Sequence, residues 1–389
     1  MASNYKRIGN YIRQVDVRNT DARLGEEDLY GLSVYKEFIP THANLVGVKF
    51  NGYKIVAPGQ FTYIPDTSRR GDKIAIGLNG FGKDIIVSSV YTVFEIYKPD
   101  ELNAEYLMML FRNPEYDRFA RYNSWGSARE VFSWEDFCDS ELYIPDIEEQ
   151  QKIVRQYKTI TDRIKILGKI NNALMGVLDQ IYRDTFYEYR EMISNYIPGN
   201  DIDLPDGWSI DEAQKYFEIT IGKTPPREVD EYFTENKEDF KWVSIADMKT
   251  DSPYISDSSE KLTDDAMKDC NMKIVPAGSV LLSFKMTVGR VAIVTEKMTT
   301  NEAIAHFRDC KELKYYTFLY LKNFDFASLG STSSISTAVN SKIIKAMPFL
   351  MPPNSVIKEF NEKVDAVFDE LYCIKKEIDL LTEMKSYIR

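Results

Sequence analysis

The most regular pattern of apolar and polar positions lies between Asp146 and Phe186. Apolar residues fill two positions in every seven there, which is the pattern of a helix that keeps one stripe against a partner helix. Pro145 ends the preceding segment, and Asp146 is placed to cap the first helical turn. A helix of about 40 residues is roughly 60 Å long, which exceeds an ordinary core helix. Its predicted seam residues are Ile153, Ile160, Ile164, Leu167, Asn171, Leu174, Leu178 and Ile181.

The same pattern returns at the end of the chain. Phe360 follows Ile153 by 207 residues, and Ile388 follows Ile181 by the same 207 residues. This agreement in phase predicts an internal repeat in which each half ends in a heptad helix, and the two helices most simply pair with each other. Two unrelated amphipathic helices on separate cores are the alternative. The second seam is predicted to contain Phe360, Val364, Val367, Leu371, Ile374, Ile378, Leu381 and Ile388.

Short β-rich runs and helical stretches precede each heptad segment. Strands are predicted at residues 46–50, 73–77 and 91–96 and at 242–245, 279–284 and 291–294, with helices at 104–119 and 313–323. The repeat extends into these parts, because residues 54–59 resemble residues 273–278. We therefore predict a mixed α/β (α+β) fold in which two pseudo-repeated globular domains accompany two long helices that form an antiparallel coiled coil.

The domain boundaries follow from these patterns. Residues 1–145 are predicted to form the first globular domain, and residues 146–192 the first long helix. Residues 193–203 contain the breakers Pro198 and Gly199 and are predicted to be a linker. The second globular domain is predicted at residues 204–352 and the second long helix at residues 353–389.

Composition narrows the function without deciding it. The formal net charge of −11 argues against a nucleic-acid partner and would suit a basic protein partner, although net charge does not map the local field. The N-terminal residues show no secretory pattern, and no 18 apolar residues run together. The four cysteines lack C-x-x-C spacing. We therefore expect free thiols and a cytoplasmic protein.

The sequence lacks the arrangements that catalysis and metal binding require. Gly222-Lys223-Thr224 resembles part of a phosphate-binding loop, but position 217 is Phe and two prolines follow, so no helix can begin there. Asn113-Pro114-Glu115-Tyr116 lacks the second proline of the loop with which amino-methyltransferases grip a base, and we interpret it as a turn between helical residues. With two histidines and no Ser/His/Asp or Cys/His constellation, we expect no catalytic residue and no metal site.

What remains is a set of basic, polar and aromatic residues in both halves. Arg and Lys neutralise phosphates and bond guanine, Asn bonds adenine, and Ser and Thr serve either role. Each side chain alone is more often an ordinary surface residue, so the interpretation depends on the set recurring in both halves. The candidate DNA-binding residues are Tyr63, Arg69, Arg70, Lys73, Lys83, Ser88, Ser89, Tyr91, Trp125 and Arg129, and then Lys223, Thr224, Arg227, Lys285, Thr287, Arg290, Asn301, Ser331, Thr332 and Ser333.

Several of these motifs together resemble the specificity subunits of type I restriction–modification systems. The second half carries Gly222-Lys223-Thr224-Pro225-Pro226, Trp242-Val243-Ser244-Ile245 and Asn301-Glu302-Ala303-Ile304-Ala305. The first half ends in Ile144-Pro145, followed by Glu148-Glu149-Gln150-Gln151. The likeness covers essentially the whole chain. One departure is that Pro352-Pro353-Asn354-Ser355 lacks the Glu-Glu-Gln-Gln of the first copy, so we expect the two ends of the coiled coil to differ as docking sites.

The resemblance implies a DNA-recognition subunit with no catalytic site of its own. Each globular domain would read one half of a bipartite site in double-stranded DNA, and the paired helices would set the gap between the halves. Two methyltransferase (modification) subunits would dock on the helices, and restriction subunits could join them. This chain would hold no cofactor: S-adenosylmethionine would belong to the methyltransferase subunit, and ATP and Mg to the restriction subunit.

Two further expectations come from the residues themselves. Asn171 is a polar residue in an apolar seam, and such a residue can fix the register of two paired helices. The acidic charge leaves open a coiled-coil scaffold with two protein-binding heads and no DNA contact. An enzyme with an unrecognised site is the remaining alternative.

Overall fold

A computed structural model of the chain describes residues 4–41, 45, 47–67, 71, 73–126, 130–189, 203–329 and 340–388. It divides into two compact units. Unit 1 comprises Met1–Asp162 together with Met384–Arg389, and unit 2 comprises Arg163–Glu383. The predicted linker at residues 193–203 lies almost entirely outside the described residues, so it stays a prediction.

Unit 1 is built on short antiparallel strands. They are β1 Tyr5–Arg7, β2 Ile12–Val15, β3 Tyr30–Leu32, β4 Phe38–Pro40, β5 Lys54–Val56, β6 Phe61–Tyr63, β7 Ile76–Leu78, β8 Ile85–Val87, β9 Thr92–Ile96 and β10 Glu141–Tyr143. The central sheet has the order β2-β9-β6-β7, and β1–β10, β3–β4 and β5–β8 form two-stranded ribbons. Two predicted strands are corrected: residues 47–52 form a turn and the 3-10 helix Phe50–Gly52, and the strand predicted from residue 73 begins only at Ile76.

Three short helices complete the globular part of unit 1: α1 Ala104–Phe111, α2 Pro114–Tyr122 and α3 Trp134–Cys138. The helix predicted at residues 104–119 is therefore two helices, and they are separated within the stretch that was interpreted as a turn. The break occurs at Asn113, whose side chain accepts a hydrogen bond from the Glu115 backbone N–H at 3.0 Å and so caps α2. Pro114 then starts the helix at a position where no N–H is needed.

Unit 2 has the same mixed architecture with more strands. They are β11 Ser209–Glu212, β12 Glu218–Ile221, β13 Phe233–Thr234, β14 Phe240–Val243, β15 Tyr254–Ile255, β16 Glu260–Leu262, β17 Val280–Ser283, β18 Val291–Val294, β19 Thr299–Thr300, β20 Ile304–Arg308 and β21 Pro348–Met351. One sheet has the order β12-β20-β17-β18-β15, a second has the order β13-β16-β14-β19, and β11 pairs with β21. The short helices are α5 Asp264–Asp269, α6 Lys314–Asn323 and α7 Ser341–Lys345.

The internal repeat is visible in the strand order of the two units. The order β2-β9-β6-β7 in unit 1 corresponds to β12-β20-β17-β18 in unit 2. The turns that the sequence suggested are equivalent have nearly the same backbone, since Gly59 has a φ of +83° and Gly278 a φ of +82°. Only glycine adopts this left-handed region without strain. Both halves therefore use one scaffold, as the repeat predicted.

The two heptad segments form the long helices α4 Ile147–Phe186 and α8 Asn354–Tyr387. As expected, Asp146 caps the first turn of α4, because its carboxylate accepts a hydrogen bond from the Glu149 backbone N–H at 2.9 Å. Among the described residues, no helix is both long and apolar enough to cross a bilayer.

Within unit 2 the two long helices run antiparallel. Arg163 donates to Glu377 at 2.7 Å, and the ring of Phe186 lies 5.1 Å from the ring of Phe360. Residue numbers thus rise along α4 while they fall along α8. Within unit 1 the remaining helix ends also meet, since Nζ of Lys385 lies 4.7 Å from the ring centroid of Tyr157.

None of the predicted seam side chains is exposed. The buried ones are Ile153, Leu167, Asn171, Leu178, Phe360, Val364, Leu371 and Ile374. The half-buried ones are Ile160, Ile164, Leu174, Ile181, Val367, Ile378, Leu381 and Ile388. Phe368 is also fully buried although it lies outside the heptad seam, because its ring stacks on Tyr315 of the globular part at 3.9 Å.

Asn171 has a different role from the one expected. Its side-chain amide donates to the backbone carbonyl of Asp251 at 2.9 Å and lies 3.4 Å from the side-chain oxygen of Asn172. The hypothesis that it fixes the register of the two helices is therefore wrong for this conformation. The hydrogen bond instead fastens the 251–256 segment of unit 2 to α4.

Candidate nucleic-acid interface

Two of the candidate loops in unit 2 are held against each other by their backbones. The N–H of Lys223 donates to the carbonyl of Thr300 at 2.9 Å, and the Thr224 hydroxyl donates to Glu302. Gly222 makes this approach possible, because a Cβ on it would lie 2.1 Å from the Thr300 hydroxyl oxygen. The loop that resembled a phosphate-binding loop is thus a close-packed strand end, and no helix follows it.

The hairpin between β17 and β18 joins the same group of loops. Phe284 donates its N–H to the carbonyl of Ala303 at 2.9 Å, and the guanidinium of Arg290 donates to the carbonyl of Ile245 at 2.6 Å. We call the resulting surface the unit 2 loop face, defined as residues 222–227, 244–247, 284–290 and 300–303. It brings together the described second-half candidates: Lys223, Thr224, Arg227, Lys285, Thr287, Arg290 and Asn301.

A buried histidine braces this surface from beneath. Nδ1 of His306 lies 2.9 Å from the Thr220 hydroxyl, and Nε2 lies 2.7 Å from the Thr300 hydroxyl. The imidazole is fully buried, and burial, assisted by Arg308, lowers the pKa of His306 to about 3. The ring is therefore neutral at ordinary pH and links two strand ends that carry the loop face. The sequence had indicated only that two histidines are too few for a metal site.

Arg227 is largely occupied by partners within unit 2. Its guanidinium donates to Glu260 at 3.0 Å and lies 4.6 Å from the ring centroid of Phe233 and 4.8 Å from that of Trp242. The hydrogen bond to Glu260 raises the pKa of Arg227 above its ordinary value. Because its charge is already balanced and its flat face is covered, Arg227 contributes more to the shape of the loop than to free positive charge.

The ammonium groups of the two lysines in the loop face differ in how available they are to a ligand. Nζ of Lys223 donates to the carbonyl of Cys270 at 3.1 Å, and its side chain is half-buried. Lys285 is exposed, with its Nζ 5.9 Å from the ring centroid of Phe284. Thr287 is exposed beside it, and Asn301 is half-buried with its side-chain oxygen accepting from the Ala303 N–H at 3.1 Å. Lys285 is therefore the better placed of the two cations for a phosphate.

In unit 1 the candidates do not form one group. Lys83 pairs with Asp28 at 2.6 Å, and this hydrogen bond raises the pKa of Lys83 and lowers the pKa of Asp28. After β8, Ser88 is half-buried and Ser89 is exposed, and Tyr91 donates its N–H to the Ser88 carbonyl at 3.1 Å. The Tyr91 side chain is half-buried against a small apolar cluster.

Tyr63 must be removed from the candidate set. It is fully buried, and its ring stacks on Phe137 at 4.7 Å in the core of unit 1. A duplex cannot reach a side chain with no exposed surface. The repeat carried the signal that identifies it as a core residue: when the turns at Gly59 and Gly278 are aligned, Tyr63 corresponds to Leu282 of the buried strand β17.

Unit 1 also presents strongly exposed aromatic side chains, and of the three described next only Trp125 was predicted. Trp125 is 69% exposed, Tyr35 76% and Tyr122 80%. Nζ of Lys73 lies 5.4 Å from the ring centroid of Tyr35. Aromatic rings and nearby cations are the side chains that stack on bases and approach phosphates.

A buried ion pair fixes the segments that carry Tyr35 and Tyr122. Nζ of Lys36 lies 2.6 Å from Asp117 of α2, and the same carboxylate accepts the Ile74 N–H at 3.0 Å. Both charged side chains are nearly inaccessible, so breaking the pair would leave a buried charge without a partner. The segments at 35–36, 73–74 and α2 are thereby held together.

The remaining candidates lie outside the described residues: Arg69, Arg70, Arg129, Ser331, Thr332 and Ser333. Within the described ranges, no group of three or more His, Cys, Asp or Glu side chains is arranged to hold a metal ion. The four cysteines are free thiols.

The fold defines a class of protein: a duplicated α/β scaffold with two long paired helices, whose loops differ between the copies. Residues 205–382 match the type I restriction modification DNA specificity domain. This match covers most of the second half of the chain, and the recognition of a type I specificity subunit from sequence motifs is confirmed.

Two curated relatives agree with this recognition, and a solved structure agrees with the fold. The type I restriction enzyme MjaIX specificity subunit of Methanocaldococcus jannaschii is 24% identical over 306 residues, covering 75% of this chain and 68% of the relative. The HindI specificity subunit of Haemophilus influenzae is 22% identical over 371 residues, covering 77% and 79%. The crystal structure of a type I restriction-modification S subunit from M. genitalium covers 99% of this chain and 94% of its own, with 12% identity and a TM-score of 0.53. At that identity the structural likeness shows the fold alone.

Proposed function

We propose that this chain reads a bipartite DNA target, with each half of the repeat recognising one part of it. The observation that carries the proposal is the repeated scaffold with divergent loops. The strand order is shared between the units, whereas the loops around β17–β18 and around β6–β7 have unrelated residues. One ancestral reader, duplicated and altered in its loops, would give two different half-sites.

In unit 2 the proposed reader is the loop face. Lys285 supplies a free cation for phosphate, Thr287 a hydroxyl, and Asn301 an amide of the type that bonds adenine. Arg227 and Lys223 are given a supporting role, because both already donate to acceptors within unit 2. In unit 1 the proposed reader is the surface of Tyr35, Lys73, Tyr122 and Trp125.

The chemistry is proposed to come from partner subunits. The methyltransferase subunits would bring S-adenosylmethionine, and any restriction subunits would bring ATP and Mg, in a cytoplasmic complex. This chain would hold no cofactor and have no activity of its own. Its net charge of −11 also favours weak DNA binding by the isolated chain, because the acidic surface repels phosphates.

An apolar stripe on α4 is the proposed docking surface for a methyltransferase subunit. Ile166, Ile170 and Val177 are exposed by 51%, 40% and 46%. Their spacing places them on one side of the helix, roughly 100° from the seam. Exposed aliphatic residues aligned over three turns are typical of a helix face that a partner covers.

The test is to map methylated bases in the source genome and then measure binding of the full chain, assembled with its methyltransferase subunits, to the mapped site. A split motif and tight binding are expected. The variant Lys285→Ala should weaken binding and reduce the slope of log K against log salt by about 0.9, the value for one lost phosphate contact.

The matched control is Lys297→Ala, which removes the same charge beyond the opposite end of β18. It should leave the salt slope nearly unchanged. A continuous methylated motif would contradict the bipartite proposal. Assembly with partners but no DNA binding would favour the scaffold with protein-binding heads, which the acidic charge also suits.

A further inference from the structure

The tip of the β17–β18 hairpin carries an apolar side chain that nothing in unit 2 covers. Met286 is 98% exposed, the highest value for a large hydrophobic residue in the described part of the chain. Its backbone φ is +58°, in the left-handed region that costs a non-glycine residue energy. A strained backbone and a fully exposed apolar side chain therefore coincide at this position.

The hairpin that projects Met286 is well braced. The Ser283 hydroxyl donates to the carbonyl of Thr287 at 2.6 Å and accepts the N–H of Arg290 at 3.0 Å. The N–H of Gly289 donates to the Ser283 carbonyl at 3.0 Å. These hydrogen bonds close the loop across its base. Met286 is therefore exposed at the tip of an ordered hairpin.

The surroundings of Met286 favour nucleic acid as what it meets. Lys285 and Thr287, its two neighbours, are exposed and polar, and Arg290 and Asn301 belong to the same loop face. A thioether side chain cannot bond a phosphate, and it has little to gain from the polar edges of the bases. The apolar surfaces that a duplex can offer are the thymine methyl groups in the major groove and the stacked faces of the bases. Of these, the stacked faces offer the larger apolar area.

We propose that Met286 inserts between two adjacent base pairs of the half-site that unit 2 reads. Apolar wedges of this kind, methionine among them, unstack one base step from the minor-groove side and bend the duplex. Lys285 would lie beside the phosphates that flank the opened step. The inference rests on the proposed function and adds to it a mode of recognition: the step is selected by how easily it opens.

A preference for certain DNA sequences would follow from the energy needed to unstack the base step. Pyrimidine–purine steps such as TA and CA unstack more easily than other steps. The half-site of unit 2 should therefore contain such a step at the position of insertion, even where no side chain bonds the base edges.

The experiment places 2-aminopurine, an adenine analogue that brightens when it is unstacked, at successive positions of the mapped target. Binding of the full chain with its methyltransferase subunits should raise fluorescence at one pyrimidine–purine step in the half-site of unit 2. Met286→Ala should remove the increase and weaken binding about tenfold, since a buried methionine side chain is lost. Met286→Leu should keep both. Ile274→Ala, another exposed aliphatic side chain of unit 2, is the control and should change neither.

The outcomes separate the inference from the function on which it rests. Tight binding by the wild type, with no brightening at any position or with full affinity in Met286→Ala, overturns the wedge and leaves DNA recognition standing. Absence of binding by the wild-type assembly overturns both. Loss of methyltransferase association in Met286→Ala, with fluorescence unchanged, would make Met286 a protein contact and also overturn the wedge.

Discussion

His306 is the residue on which the shape of the unit 2 loop face depends most directly. Its two ring nitrogens contact hydroxyls on β12 and β19, so it ties the strand that precedes Lys223 to the strand that precedes Asn301. A neutral imidazole can donate at one nitrogen and accept at the other, which suits a bridge between two hydroxyls. A protonated ring has two donors and would be buried with a net charge.

This arrangement predicts an acid sensitivity. The pKa of His306 is about 3 in the folded chain and about 6.5 when unfolded, so between pH 6.5 and pH 3 mainly the unfolded chain gains the proton. The stabilising contribution is complete above pH 6.5 and is lost as pH falls toward 3. At pH 5 the free energy of unfolding should have dropped by about 2 kcal/mol through this group.

Thermal melts at pH 7 and pH 5 measure this loss of stability. His306→Gln should be less stable than the wild type at pH 7, because the bridge is disturbed, but should lose less stability between the two pH values. Equal losses in wild type and variant would show that other groups, such as paired carboxylates, cause the acid sensitivity.

Asn171 gives a second prediction at the scale of one residue. In Asn171→Leu the Asp251 carbonyl loses its donor, so the 251–256 segment should open more easily by about 1 kcal/mol. Hydrogen exchange of the backbone amides in this segment should accelerate. The control Asn172→Leu, at the exposed neighbouring position, should leave the exchange as it is. Unchanged exchange in Asn171→Leu would show that this hydrogen bond does not hold the 251–256 segment.

The candidate site shows how far single residues can be judged from sequence. Lys285 and Trp125 are exposed as expected, whereas Tyr63 is a core residue. Tyr35 and Tyr122 were missed because an exposed tyrosine and a buried one have the same local sequence signal. Their exposure depends on which segments the buried Lys36–Asp117 pair holds together, and those two residues are 81 positions apart.

At the scale of elements, the long helices were the most predictable part of the chain. Heptad spacing is a local pattern, and α4 begins at Ile147 directly after its predicted cap. The short strands were less predictable: a strand was predicted at residues 46–50, but residues 47–52 form a turn and the 3-10 helix Phe50–Gly52. A short apolar run becomes a strand only when a neighbouring strand is present to pair with it.

The exposed stripe on α4 supports a prediction about assembly. Ile170→Glu places a charge in the centre of the stripe and should reduce co-purification of the methyltransferase subunit about tenfold or more, because a charge would be buried at the interface. The fold should survive, since Ile170 is already 40% exposed.

Asn172→Glu is the matched control, because it adds the same charge about 200° around the helix. It should leave assembly intact. Normal assembly of Ile170→Glu, with a normal melting curve, would remove the stripe from the docking surface.

At the scale of the whole molecule, duplication leads to a prediction about target spacing. Insertion of one heptad into α4 together with one into α8 keeps the seam in phase and adds about 10 Å of helix. If the paired helices set the gap, the unread part of the target should lengthen by about three base pairs, while the letters of both half-sites stay the same.

Methylation mapping in cells that express the insertion variant measures the result. The control replaces one heptad in each helix by another of the same length and apolar pattern, and its target should be unchanged. An altered half-site, or an unaltered gap with the inserted helices intact, would contradict a spacing role for the helices.

The sequence by itself determined that the chain is a tandem repeat with two long helices that pair, because periodicity and a constant offset are properties of the chain alone. Only the tertiary structure decided which loop residues are available to a ligand. Arg227 meets Glu260 across 33 positions, and Lys223 meets the carbonyl of Cys270 across 47. Such partners are set by packing over long separations, so the availability of a charge or a ring appears only once the segments are folded together.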